Sequence, residues 1–217
     1  MPLQLIRTDI TQLKVDAIVN PSNPYLIAGD LSSVSGQICN AAGVDKPTQA
    51  CKELGSINYA QAVLTDAFQL PSHSIIHVAN PPYIDGKREE MTFLTNSYRN
   101  CLKLVEEHNF KTVAFPLLSS GTYRYPKAEA FQIALKELQA YVLTHDIMIY
   151  LVVYDKDSYE LSKKLTDSVQ DYLEKTLESS MLFDEVSSFK CAYPLDELIK
   201  QQDVSFSTYL FKLISEK

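Results

Sequence analysis

The chain has 217 residues, 46% of them hydrophobic, and a formal net charge of −7. That length and hydrophobic content suit one domain with a sizeable core and room for an appendage. The acidic balance argues against a general nucleic-acid surface or an anionic-membrane surface, because both need clustered Lys and Arg. Any negatively charged ligand must therefore be held locally, by backbone dipoles.

The four cysteines, Cys39, Cys51, Cys101 and Cys191, are far apart and form no C-x-x-C pair and no cluster with the histidines. This spacing argues against a zinc site and against a disulfide framework. The chain begins with a strand pattern rather than a signal peptide, and no apolar run reaches membrane-spanning length. We therefore expect reduced thiols in a cytoplasmic protein that uses no metal and no cofactor.

Two N-terminal strand patterns each end in polar residues. Residues 3–6 alternate and then meet a polar turn in which Asp9 is the only carboxylate. Residues 15–20 predict a buried strand that leads into a Pro-containing turn with Asn20 and Asn23. Asn and Pro form turns whatever the function of a protein, so the asparagines have a purely structural interpretation. Alternatively, their amides face a ligand at the carboxyl edge of a sheet, where open α/β folds bind small molecules.

The middle of the chain alternates between helical and strand patterns. We predict a helix over residues 37–43, strands over 62–68 and 74–79, and an amphipathic helix over 89–108. His77 lies inside the second of these strands. A lone histidine in an apolar strand is typically a core residue with satisfied hydrogen bonds, and no neighbouring carboxylate or nucleophile in the sequence indicates catalysis.

The most informative stretch begins with a short apolar run at residues 113–118. Ser119, Ser120 and Gly121 come next, and a long helical pattern begins at Pro126, a residue that suits the first helical position. A strand, a turn and a helix in this order can aim several backbone N–H groups at an anion, and diphosphate is the natural ligand. Many turns that contain Ser and Gly bind nothing, so this stretch alone is a weak motif.

The last strong strand pattern covers residues 147–154 and ends at Tyr154. Strands that alternate with helices predict an α/β fold whose central sheet is parallel or mixed and is covered on both faces. A helical stripe then continues to residue 177. We predict one domain over residues 1–178 and a short helical C-terminal extension over residues 179–217, which either packs on the domain or begins a further unit.

Several segments, in this order and at this spacing, resemble the macro domain family. They are RTDIT (7–11), VDAIVNPSN (15–23), AAG (41–43), IIHVANP (75–81), AFPLLSSGTY (114–123) and LVVYD (151–155). The resemblance implies a three-layer α/β/α fold around a mixed, mostly parallel sheet. Members of this family bind ADP-ribose, and several branches hydrolyse ADP-ribosyl groups or related esters.

The resemblance also implies roles for individual residues. Asp9 accepts a hydrogen bond from the adenine amino group, with the backbone of Ile10 nearby, and the Tyr154 ring stacks on adenine. Asn20 and Asn23 match the paired asparagines after the second strand, and Asn23 lies by the distal ribose. The diphosphate is held by the backbone N–H groups of one loop, and the last aromatic ring of that loop packs near the distal ribose. The loop consists of Ser119, Ser120, Gly121, Thr122 and Tyr123.

The chain departs from the family between the asparagines and residues 41–43. The family usually has a glycine run there, followed by an aspartate, whereas residues 28–36 are about two residues longer and contain Leu and Ser in the run. Glycines permit positive φ angles and a close approach to phosphate, so this first phosphate loop is divergent. Ser35 stands where the aspartate often lies. Asn23 and Ser35 are the catalytic candidates, and a serine is a poor general base near neutral pH.

Three functions are open at this point. The chain binds free or protein-linked ADP-ribose as a recognition module, or it hydrolyses ADP-ribosyl groups or O-acetyl-ADP-ribose weakly. In the hydrolase, the distal phosphate and Asn23 would position the attacking water. The third function is a protein-interaction module that keeps the fold and has lost the ligand. The expected partner in the first two cases is ADP-ribose or an ADP-ribosylated protein.

Overall fold

The computed structural model of the chain describes residues 2–154. The predicted alternation of strands and helices is present in this part. The strands are β1 (Leu3–Ile6), β2 (Ala17–Ser22), β3 (Ala62–Asp66), β4 (Ser74–Ala79), β5 (Thr112–Pro116) and β6 (Met148–Val152). The α-helices are α1 (Val34–Ala42), α2 (Asp45–Leu54), α3 (Glu90–Glu107) and α4 (Lys127–Val142), and a short 3-10 helix, Ile10–Gln12, follows β1.

The six strands form one sheet in the order β1-β6-β5-β2-β4-β3. β1 pairs with β6, β6 with β5, β5 with β2 and β2 with β4, and all of these pairs are parallel. β3 lies at the edge and pairs antiparallel with β4. The mixed, mostly parallel sheet predicted from the sequence is therefore confirmed.

Alternate residues of the strands pack on opposite faces of the sheet, which produces three layers. In β2, Ala17 and Val19 belong to the core beneath α3 and α4, whereas Ile18 packs with residues of α1. Ala79, at the end of β4, packs with Cys51 of α2. The predicted α/β/α layering is confirmed for the described residues.

The sheet topology creates a crevice at one edge. β1, β6, β5 and β2 are parallel neighbours, so their carboxyl ends lie at the same edge of the sheet. The chain leaves β2 for α1 on one face and leaves β5 for α4 on the other face. Ligands bind in α/β sheets at such switch points, where two neighbouring strands lead in opposite directions. The β2–α1 loop and the β5–α4 loop therefore face each other across the crevice.

Several element boundaries differ from the sequence prediction, and three of them affect the site. β2 continues to Ser22 because its last residues still pair with β4, and β5 pairs only with the first two residues of β2, so Pro21 is outside that second ladder. α1 begins at Val34, ahead of the predicted start, because the Ser33 side chain caps the helix. Pro126 is the N-cap of α4 rather than its first residue.

The predicted helical extension over residues 179–217, and the domain boundary at residue 178, lie outside the described residues. Among residues 2–154, no helix has both the length and the apolar content that a membrane span requires.

Candidate functional site

A cleft of about 440 Å³ opens at the carboxyl edge of the sheet. This volume is typical of small-molecule sites. The lining comes from the segments after β1, β2, β5 and β6 and from the β2–α1 loop. The structure brings most of the residues predicted from the sequence to this cleft: Asp9, Ile10, Asn23, Ser35, Ser119, Ser120, Gly121, Thr122, Tyr123 and Tyr154.

The loop over residues 119–123 presents consecutive backbone N–H groups that have no acceptor in the described part of the chain. Its alternate carbonyls, in contrast, are engaged. Those of Ser119 and Gly121 accept the N–H groups of Tyr125 and Arg124, both at 2.9 Å. That of Tyr123 accepts the N–H of Tyr83 at 2.9 Å. Successive N–H groups without acceptors form an anion-binding concavity, which is the chemistry that the sequence predicts for this loop.

Ser119 begins this loop in a conformation that is uncommon for a residue with a side chain. Its φ of 62° lies in the left-handed region, which costs roughly 1–2 kcal/mol for an L-residue. Ser119 is 5% exposed, and its hydroxyl has no hydrogen-bond partner among the described residues. Backbone strain together with an unmet buried hydroxyl, both at a cleft, indicates a functional position.

The N-terminus of α1 supplies a second set of donors across the cleft. Ser33 caps the helix by accepting the N–H of Gly36 at 3.1 Å, while the N–H groups of Val34 and Ser35 find no acceptor within residues 2–154. Ser35 is 7% exposed, and its hydroxyl also has no described partner. Ser35 and Ser119 thus both line the cleft as residues, and each has a buried hydroxyl with no partner among the described residues. Buried polar groups without partners are rare and call for a ligand or a water.

The divergent β2–α1 loop is held by side chains and by one close backbone approach. Asp30 Oδ1 accepts the N–H of Ser32 at 2.9 Å, and the Ser33 hydroxyl donates to the Asp30 carbonyl at 2.7 Å. The Ser32 hydroxyl also donates to the Asp30 carboxylate, and these bonds hold the pKa of that carboxyl below its ordinary value. A Cβ atom on Gly36 would lie 1.9 Å from the Asp30 carbonyl oxygen, so a side chain at this position would force the two segments apart.

Asn23 lines the cleft, and most of its amide is engaged in its own loop. Its Nδ2 donates to the Ile27 carbonyl at 2.7 Å. Its Oδ1 accepts the N–H groups of Tyr25 at 3.0 Å and of Ile27 at 3.3 Å. One amide hydrogen is left for another acceptor. Asn23 is therefore a residue that orders the start of the β2–α1 loop and offers a single donor.

Asn20 does not line the cleft, in contrast to the sequence prediction. It is 5% exposed, and its Nδ2 donates to His77 Nδ1 at 3.0 Å across the β2–β4 pair. His77 Nε2 then carries the hydrogen and donates to Thr65 Oγ1, 2.9 Å away. Burial lowers the pKa of His77 to about 4, so the ring is neutral at pH 7. The structure supports the core interpretation of His77; Asn20 is buried beside it, and its Oδ1 has no hydrogen-bond partner among the described residues.

The opposite end of the cleft is formed by the segments after β1 and β6. Asp9 Oδ1 accepts both the N–H of Thr11, at 2.9 Å, and the Thr11 hydroxyl, at 2.8 Å, which leaves Oδ2 for another donor. Ile10 is buried beside it. Tyr154 is 67% exposed, and its carbonyl accepts the side chain of Arg7 at 3.3 Å. An exposed aromatic face and an open carboxylate oxygen at one end of a cleft suit a planar ring with an amino group.

Sequence reasoning missed several lining residues, among them Ile27, Gln37 and Lys127. Lys127 is the only basic side chain and Asp9 the only acidic one in the lining that the structure describes. The predicted start of α4 at Pro126 was a signal that could have identified Lys127, because the next residue lies in the first turn. No pattern in the sequence marks Ile27.

Comparison with known proteins gives matches over this same region. A family model described as Macro domain matches residues 19–134. The O-acetyl-ADP-ribose deacetylase of Salmonella newport (strain SL254) is 38% identical over 169 residues, which cover 75% of this chain and 93% of that protein. The Oceanobacillus iheyensis macrodomain with ADP has a TM-score of 0.73 and 30% identity, and the match covers 78% of this chain and 92% of that one.

A more distant structure shows the same fold. The Trypanosoma brucei macrodomain in complex with ADP-ribose has a TM-score of 0.66 and 27% identity, and the match covers 76% of this chain and 68% of that one. The family model spans more than half of the chain, and the Salmonella relative exceeds 30% identity over three quarters of it. The topology, the position of the cleft and these matches agree, and the chain belongs to the macro domain family.

Proposed function

We propose that the chain binds ADP-ribose, free or attached to a protein, in the cleft at the carboxyl edge of the sheet. The observation that carries the proposal is the run of unpaired N–H groups at residues 119–123, which faces the open N-terminus of α1 across the cleft. Relatives with the same fold support it, since their structures contain ADP and ADP-ribose.

The two ends of the cleft support one orientation of the ligand. Adenine lies between Asp9 and Tyr154, with its amino group on the free carboxylate oxygen and its ring on the exposed aromatic face. The diphosphate lies between the 119–123 loop and α1. The distal ribose then extends toward Asn23 and Tyr123, whose hydroxyl is held 3.4 Å from the Ser22 carbonyl.

Uncharged hydrogen-bond donors bind the diphosphate in this arrangement. Backbone N–H groups and a helix N-terminus bind phosphate without the basic patch that a protein of net charge −7 lacks. The hydroxyls of Ser35 and Ser119 are buried and have no partner among the described residues, so a change of side-chain rotamer would add them as donors at little further desolvation cost. The same set of donors argues against a degenerate module that has lost its ligand.

Weak hydrolysis is the second function that the chain supports. The relative with 38% identity is an O-acetyl-ADP-ribose deacetylase. In the described lining, however, the only carboxylate is Asp9 at the adenine end, and Ser35 stands at the phosphate end. A hydroxyl is a poor general base at neutral pH. We therefore expect a water activated chiefly by the bound phosphate and turnover that is slow compared with binding.

A titration with ADP-ribose tests the proposal. Calorimetry should detect saturable binding to the full chain, and Asp9→Ala should weaken it by about 1–3 kcal/mol, the cost of leaving a polar group of the ligand unpaired. Absence of binding to the unaltered chain contradicts the proposal. Unchanged affinity in Asp9→Ala removes Asp9 from the site. Binding of an ADP-ribosylated protein and a cytoplasmic location are further predictions.

A further inference from the structure

Helix α3 contacts the base of the phosphate-facing loop through one side chain. Tyr98 is fully buried, and its ring lies 5.7 Å from the ring of Phe115 in β5, at an angle of 34°. Its hydroxyl oxygen accepts the backbone N–H of Leu118 at 3.2 Å. Leu118 is also fully buried, so water does not compete for this N–H.

This hydrogen bond lies immediately before the segment whose backbone N–H groups have no acceptor among the described residues. Leu118 is the last residue before the run of N–H groups that have no acceptor in the described part of the chain. Ser119 follows at once with its φ of 62°, which turns the backbone sharply. The direction of the first free N–H therefore depends on how the Leu118 peptide is held.

The two sides of this peptide have different partners: its N–H donates to Tyr98, and its carbonyl, that of Leu117, accepts the Ser120 hydroxyl at 2.8 Å. The surroundings of Tyr98 and Leu118 are apolar, and they include Leu94, Phe131 and Val113. A buried backbone N–H without an acceptor costs free energy comparable to a lost hydrogen bond, so the loop would move to recover one. Burial also raises the pKa of the Tyr98 phenol, which keeps the hydroxyl neutral.

We propose that Tyr98 is a positioning residue for diphosphate binding: it fixes the Leu118 peptide from beneath and so orients the N–H groups of residues 119–123 toward the cleft. Tyr98 does not line the cleft and touches no ligand. The inference rests on the proposed function of the cleft. It predicts that Tyr98, from α3, affects the affinity for the phosphates and does not affect the recognition of adenine.

The variant Tyr98→Phe tests this, because it removes the acceptor and keeps the ring. Binding of ADP should weaken about tenfold, while binding of adenosine, followed by NMR titration, should not change. Tyr141→Phe is the matched control. It removes a tyrosine hydroxyl of α4 that donates to the Leu102 carbonyl of α3 at 3.4 Å, away from the loop. This control should bind ADP as the unaltered chain does.

The outcomes separate the two proposals. If the unaltered chain does not bind ADP, the proposed function fails and this inference fails with it. If it binds ADP and Tyr98→Phe binds equally well, or if ADP and adenosine weaken by the same factor, only the positioning role of Tyr98 is overturned.

A second measurement avoids the variant, should Tyr98→Phe fail to fold. In the unaltered chain without ligand, the Leu118 amide should exchange its hydrogen slowly, whereas the amides of residues 120–123 should exchange rapidly and become protected when ADP is added. A Leu118 amide that exchanges as fast as those of residues 120–123 contradicts the proposal.

Discussion

The two loops that face each other across the cleft are held in different ways. In the β5–α4 loop, backbone carbonyls accept backbone N–H groups, and the N–H groups of residues 119–123 remain open. In the β2–α1 loop, the side chains of Asp30 and Ser33 make the contacts, and Gly36 allows one close approach. Residues 119–123 are therefore held chiefly by backbone bonds, with side-chain bonds from Tyr98 and Ser120 at their base, whereas side chains make most of the bonds within the β2–α1 loop.

This difference explains how a loop without a glycine run can still present donors. Ser33 caps α1, and the N–H groups of Val34 and Ser35 stay open as a result of helix geometry, since the first turn of a helix has no internal acceptors. In this chain the capped N-terminus of α1 offers the donors that a glycine run would otherwise present. The β2–α1 loop should therefore be sensitive to substitution, because several of its side chains are needed to keep its conformation.

The largest expected effect comes from Gly36→Ala. The new Cβ would meet the Asp30 carbonyl at 1.9 Å, and a backbone atom cannot move aside as a flexible side chain can. We expect the free energy of unfolding to fall by about 2 kcal/mol and the affinity for ADP-ribose to fall about tenfold or more. Chemical denaturation and calorimetry would measure the two changes.

Gly121→Ala is the matched control in the opposite loop. Gly121 does not have a positive φ, and an added Cβ would meet no atom within 4 Å. Its free energy of unfolding should stay within about 0.5 kcal/mol of the unaltered chain. If Gly36→Ala proved as stable as Gly121→Ala, the close approach would not be what holds the β2–α1 loop.

The second effect concerns turnover in Ser35→Asp. A carboxylate at this position would lie at the phosphate end of the cleft and could act as a general base. We expect the single-turnover rate on an ADP-ribosylated protein or on O-acetyl-ADP-ribose to rise about tenfold or more. Affinity for ADP-ribose should fall, because the new charge repels the diphosphate.

Ser35→Asn is the control for Ser35→Asp, since it has nearly the same shape and no charge. The base hypothesis requires a gain in the aspartate variant and none in the asparagine variant. Brisk turnover by the unaltered chain would contradict the view that Ser35 limits catalysis, and it would require another base in the cleft.

The sequence predicted the sheet, its layers and the position of the 119–123 loop, because these depend on local patterns of strand, turn and helix. It did not predict the role of Asn20, because the pairing of Asn20 with His77 joins residues 57 apart and depends on the register of β2 and β4. The hydrogen bond between Tyr98 and Leu118 could not be predicted from the sequence for a similar reason, since it depends on how α3 packs beneath β5.

The number of glycines in the β2–α1 loop does not by itself determine whether the loop presents backbone donors. Leu and Ser residues in place of glycines indicated a divergent phosphate loop, yet the capped start of α1 leaves donors open at the cleft. Cap chemistry can be read from a sequence, since Ser33 is a residue type that caps helices well. The predicted start of α1 at residue 37 hid this, because the helix begins three residues earlier, at Val34.

The smallest effects, and the most direct comparison of the two loops, are expected from Ser35→Ala and Ser119→Ala. Each removes a buried hydroxyl with no partner among the described residues, so neither should destabilise the free protein. Alanine at position 119 retains the same backbone strain as serine, because both carry a Cβ. If both hydroxyls donate to the diphosphate, each variant should lose about threefold to tenfold in ADP-ribose affinity. A loss in Ser119→Ala alone would show that the Ser35 hydroxyl does not donate to the ligand, and that α1 contributes at most its backbone N–H groups.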